Sequence, residues 1–203
     1  FYVIDVAQPA SPLQTGFYTT AEGVSLGIND LFVSGYWTGK KLAVQNNYAY
    51  LLSSEGLTVI DVTNPTTPQR ISAVQTSHLA TALIVVGSNV YLSWYSVFLP
   101  PPPMNGTYIG GLDIIDVSNS TSPFIKSTFQ LQEPSPALQI AISGTHVFLV
   151  SNGLLKIIDV SDPQHPKLEN ETNIPAQAIV SEKDRLYVLN SEKGLRLFDL
   201  SNP

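Results

Sequence analysis

The chain writes almost the same sentence several times. "GLTVIDVTNPTTP" begins at Gly56, "GLDIIDVSNSTSP" at Gly111, "GLLKIIDVSDPQHP" at Gly153 and "GLRLFDLSNP" at Gly194, and "FYVIDV" opens the chain. The aspartate of the motif recurs at Asp5, Asp61, Asp116, Asp159 and Asp199. A catalytic motif is seldom repeated, whereas a structural unit often is. The last two intervals, 43 and 40 residues, set the length of the unit. The first two, 56 and 55 residues, exceed it and imply insertions.

A second pattern precedes each complete motif. "LAVQNNYAYLLS", "LIVVGSNVYLS", "LQIAISGTHVFLV" and "AIVSEKDRLYVLN" each read as strand, tight turn, strand. The turn pairs Asn46-Asn47, Gly87-Ser88, Gly144-Thr145 and Lys183-Asp184 contain residues that tolerate the dihedrals of short hairpins. A β-branched third strand follows, then a Pro-rich turn and an outer strand such as "QRISAVQT". Proline suits that edge position, where a missing N–H costs nothing. No helical stripe is visible, and "STSPFIKSTFQLQ" alternates as a strand does.

The pattern predicts an all-β chain, a β-propeller of four-stranded antiparallel blades or a part of one. Residues 1–20 supply the two outer strands of a first blade; full blades span 42–75, 82–130 and 138–173; residues 176–203 give three strands of a fifth. The whole, 1–203, reads as a single propeller domain or a fragment of one. The chain begins inside a strand and stops within the repeated turn, as expected of a piece cut from a longer array.

The motif resembles that of the LVIVD-repeat proteins. Its anchors are Gly56, Leu57, Ile60, Asp61, Val62, Asn64 and Pro65, with counterparts at Gly111 to Asn119, Gly153 to Pro163 and Gly194 to Pro203. The chain departs from the pattern at Ser120, Phe198 and Leu200, and by one extra residue at Leu155. The resemblance implies a propeller in a bacterial or archaeal protein that is secreted or attached to the cell surface. It implies no common activity.

Composition narrows the function. Only 13% of residues are charged, the net charge is −6, and no basic block offers a footprint for nucleic acid. No apolar run is long enough to span a membrane, and the absence of cysteine excludes thiol chemistry. Nucleotide-loop, zincin, nucleophile-elbow and calcium-loop patterns are missing, so neither catalytic residues, nor a metal, nor a cofactor is expected. The repeated aspartates lie one per blade and do not converge; each is expected to accept backbone N–H bonds and hold its turn shut. His78, His146 and His165 are scattered, and His146 reads as a packing residue beside Phe148.

The excess length falls at residues 21–41 and 94–110, which should emerge on one face of the array. Both tryptophans, Trp37 and Trp94, lie there, with Tyr36, Tyr95, Phe98, Tyr108 and the rigid run Pro100 to Pro103. These aromatics are the expected binding residues, with capping of the propeller's apolar surface as the structural alternative. The favoured function is a non-catalytic extracellular or cell-surface module for binding, adhesion or assembly, engaging a protein or another copy of itself. The alternative is a carbohydrate binder or carbohydrate-active enzyme that draws carboxylates from Glu22, Asp30, Asp113 and Glu133. Sequons at Asn105, Asn119 and Asn170 are candidate glycosylation sites.

Overall fold

The computed structural model describes residues 2–17, 41–53, 56–98, 107–132 and 135–201. Among these the chain forms strands and no helix. Sheet 1 holds β1 (Tyr2–Asp5) and β2 (Leu13–Phe17). Sheet 2 holds β3 (Leu42–Gln45), β4 (Tyr48–Ser53), β5 (Gly56–Asp61) and β6 (Gln69–Val74). Sheet 3 holds β7 (Leu79–Val86), β8 (Asn89–Phe98), β9 (Thr107–Asp116) and β10 (Phe124–Gln130). Sheet 4 holds β11 (Ala137–Ser143), β12 (His146–Ser151), β13 (Leu154–Asp159) and β14 (Lys167–Pro175). Sheet 5 holds β15 (Ala178–Glu182), β16 (Arg185–Asn190) and β17 (Gly194–Asp199). Each strand pairs antiparallel with its neighbour in sequence, as in propeller blades, and no sheet closes on itself.

Local chemistry explains the regularity. The two-residue turns fall at the four expected pairs, and Asn46, Gly87, Gly144 and Lys183 supply the positive φ that such turns need. All five motif aspartates hold their turns. Their Oδ1 atoms accept N–H bonds from Ala7, Thr63, Ser118, Ser161 and Ser201, each at 2.8–2.9 Å. The residue after the aspartate ties its strand to the sheet's own first turn: Val62 N–H donates to Asn47 O, Val117 to Ser88 O and Val160 to Thr145 O, all at 2.8 Å.

Alternation along each third strand then builds the core between sheets. The residue two before the aspartate faces the next sheet, and the residue one before it faces the preceding one. Val59 and Ile115 thus share the buried cluster between sheets 2 and 3, and Ile114 and Ile158 share the one between sheets 3 and 4. Ile157 and Phe198 flank the cluster between sheets 4 and 5. The first strands β3, β7, β11 and β15 line up one against the next. At the outer rim, Ser72 Oγ donates to Ser120 O (2.5 Å) and Ser127 Oγ to Pro163 O (2.7 Å), so each outer strand grips the following sheet's turn.

Candidate binding site at the base of an extended hairpin

Sheet 3 differs from its neighbours. β8 and β9 pair from Asn89↔Asp116 out to Phe98↔Thr107, whereas β7 stops pairing at Tyr95 and β10 at Gly111. Residues 96–98 and 107–109, expected within the second insertion, therefore continue the strands as a two-stranded arm, with Trp94 and Tyr95 at its base beside the start of β7. On one face of the arm Tyr95 and Tyr108 lie with ring centroids 6.2 Å apart at 50°. Val97 shares that face and is exposed.

Trp94 occupies the other face. It was expected on a binding loop; the structure places it in β8 at 1% exposure. Its indole stacks on His78 with centroids 3.7 Å apart and planes 11° from parallel. His78 comes from the connection between sheets 2 and 3. The ring has room because Gly111 stands opposite in β9; a Cβ there would lie 2.5 Å from Trp94 Cζ2. This accounts for an anomaly of the motif. Gly56, Gly153 and Gly194 adopt positive φ at their turns, but Gly111 sits mid-strand and serves packing.

Asp113 completes a buried polar cluster beneath the arm. Its carboxylate Oδ2 is 3.8 Å from His78 Nδ1, beyond hydrogen-bond reach. His78 Nδ1, Trp94 Nε1 and Asp113 Oδ1 are buried with no hydrogen-bond partner among the described residues. On the opposite side of β8, Thr81 Oγ1 donates to Ala137 O (2.6 Å) and lies 2.8 Å from Ser93 Oγ, tying sheet 3 to sheet 4.

Two carboxylates of β9 should respond to pH with opposite sign. Burial raises the pKa of Asp113 above its ordinary 3.8. Its contribution to stability is therefore full below that ordinary value and is lost as pH rises through the raised one. Asp116 is held at about 2, first by the Lys126 ammonium, 2.8 Å away, and then by Ser118. Its contribution is present above 3.8 and is lost as pH falls through about 2. Thermal melts across pH should show Asp113→Asn at least as stable as the parent at neutral pH, with Asp116→Asn losing part of the acid limb. A neutral-pH melt of Asp113→Asn well below the parent would refute the first assignment.

Tyr36, Trp37 and Asn105, like Glu22, Asp30 and Glu133, lie outside the described residues, as does the side chain of Phe98. Asp113 is thus the one described member of the carboxylate pool. Asn119 is exposed, and its Oδ1 accepts from Thr121 N (3.2 Å) and Oγ1 (2.7 Å). Asn170 is exposed on β14. His146 Nε2 contacts Glu169 Oε2 at 2.9 Å, and His165 Nδ1 contacts Asp162 Oδ2 at 2.8 Å. Among the described residues no cluster of His, Asp and Glu could hold a metal ion, and no helix is long and apolar enough to cross a membrane. The buried Trp94–His78 stack could not be read from the sequence; the doubled Gly110-Gly111 opposite Trp94-Tyr95 was its one visible trace.

Side-by-side antiparallel sheets, each closed by the same aspartate-held turn, define a repeat protein of blade-like units. The chain belongs to the LVIVD-repeat family: the LVIVD repeat matches residues 38–76, 106–130 and 136–173. The family is found in bacterial and archaeal surface or secreted proteins. Among solved structures, the computationally designed Ika4 protein is similar at TM-score 0.49 and 13% identity, over 81% of this chain and 91% of that one. YjhT is similar at TM-score 0.48 and 10% identity, over 83% and 66%. PorZ, a surface component of the type-IX secretion system of Porphyromonas gingivalis, gives 0.40 and 11%, over 96% and 28%. No curated protein matches the chain in sequence.

Proposed function

We propose that the chain is a non-catalytic binding or assembly module at the cell surface or outside the cell, its sheets serving as blades of a β-propeller. Its partner is a protein, met by the β8–β9 arm together with Tyr36 and Trp37 of residues 21–41. The observation that carries this reading is the arm itself. It runs past both neighbouring strands and carries Tyr108 and exposed Val97, with half-buried Tyr95 at its base beside Tyr108. Aromatic anchors of this kind contribute disproportionately to interfaces. Trp94, buried under the arm, acts as its foundation. The location rests on family membership, and the sequons Asn105, Asn119 and Asn170 become glycan sites wherever the host glycosylates such proteins.

Replacing Tyr95 and Tyr108 together with alanine should weaken capture of the partner from the native secretome or membrane fraction. Loss of about 2 kcal/mol corresponds to roughly thirtyfold. Unchanged capture by a double variant with parental melting behaviour would remove the arm from the interface. Capture that competes with soluble oligosaccharide would instead favour sugar stacking on the same pair.

A further inference from the structure

The cluster beneath the arm has three closed sides and one that can open. Asp113 lies in β9 between Leu92 of β8 and Thr128 of β10, and both ladders run unbroken past it. Trp94 and Gly111 pair across the same two strands and share its face. The fourth side is His78, which belongs to the connection between β6 and β7 and is laid flat on the indole. Its side chain is 23% exposed, against 2% for Asp113. Asp113 Oδ1, Trp94 Nε1 and His78 Nδ1 are buried without a hydrogen-bond partner, and the carboxylate and imidazole stand 3.8 Å apart. Other titratable groups approach from the elements packed around them. Tyr48 and Tyr50 of β4 pack into the cluster between sheets 2 and 3, and Lys41, ahead of β3, donates to Ala80 O (2.7 Å). Lys126 of β10 is engaged by Asp116 and Asn89. The charge that acts on the Asp113 carboxyl is that of His78.

We propose that His78 and Asp113 form a proton-operated cap over Trp94: while the pair holds one proton the imidazole stays seated on the indole, and when that proton is lost the imidazole lifts and uncovers Trp94 at the foot of the β8–β9 arm. With one proton the pair is a carboxylic acid beside a neutral imidazole, or a carboxylate beside an imidazolium, and is neutral as a unit either way. Without it a bare carboxylate is left in a buried site, where it must be hydrated. The ladders of β8, β9 and β10 bar water from three sides, so hydration goes by way of His78. The sign follows from burial, which raises the Asp113 pKa above 3.8. The seated state belongs to low pH and is lost as pH rises through the raised value. Lifting presents a further aromatic surface on the face of β8 opposite Tyr95. What that does to partner capture rests on the binding reading above; the movement of the cap does not.

Acrylamide quenching of Trp94 tests this in a Trp37→Phe background, where Trp94 is the only indole. The pH is scanned upward from the ordinary carboxyl value of 3.8 to about 8, past the histidine range. The quenching constant should start low and rise severalfold in one transition, with the far-ultraviolet β signal unchanged. Asp113→Asn, which holds no charge at any pH, should stay low throughout. Asp113→Thr should do the same; sheet 2 carries Thr58 at this position, three before its motif aspartate. A flat profile in the Trp37→Phe parent overturns the proposal. So does an equal transition in either folded Asp113 variant, which would assign the proton elsewhere. A transition that coincides with loss of the β signal overturns it too, since the whole fold and not the cap would then be opening.

Discussion

Replacing Trp94 with alanine is expected to cost about 3–5 kcal/mol of folding stability, in the range for deleting a fully buried large aromatic side chain. The indole is 1% exposed and is stacked 3.7 Å from His78. Its removal would open a cavity between sheets 2 and 3 at the point where the arm leaves the sheet. The surroundings have little freedom to collapse into it, because β9 is held on both sides by its ladders to β8 and β10. Urea unfolding at constant m-value is the measurement. Trp94→Phe should recover part of the loss, since a ring can still lie against His78. A Trp94→Ala loss below about 1 kcal/mol would mean that the arm is anchored elsewhere.

Gly111→Val should come next, with a loss of about 3 kcal/mol, the upper end for overpacking a tight site. A Cβ at this position would collide with the Phe129 carbonyl oxygen as well as with the Trp94 ring. Only one of these neighbours can give way, because the carbonyl belongs to the β9–β10 ladder. The two substitutions should therefore be non-additive. Trp94→Ala removes the ring from the collision and leaves the carbonyl, so the double variant should be more stable than the sum of the singles predicts, by about 1 kcal/mol. Strict additivity would show that the Gly111 side of the strand is not in contact with the indole.

The motif aspartates show what was legible in advance. An aspartate bonding the N–H two residues on is a local event that needs no distant partner, and all five make it. The same holds for the four two-residue turns and for the assignment of apolar residues to sheet faces, which follow from side-chain type and a period of two. The candidate site was less legible. Trp94, Tyr95 and Tyr108 were singled out because aromatics cluster where the repeat is overlong. Composition cannot say which side of a strand meets another sheet. Trp94 faces the seam and is buried. Tyr95 and Tyr108 face the other way and pair with each other on the arm.

The sequence by itself determined the repeat unit, its strand order, its turns and the aspartate that locks each one, because these depend on contacts within a few residues or across one hairpin. Only the tertiary structure decided what stands opposite each face. His78, Trp94, Gly111 and Asp113 come from one connection and two strands; the β8–β9 register brings the last three to one face, and the connection into β7 lays His78 on the indole. Burial of Asp113 and the mid-strand role of Gly111 depend on what packs on that face of sheet 3, which alternation alone does not name. Alternation specifies that a side chain leaves the strand on one side; desolvation and packing depend on what that side chain then meets.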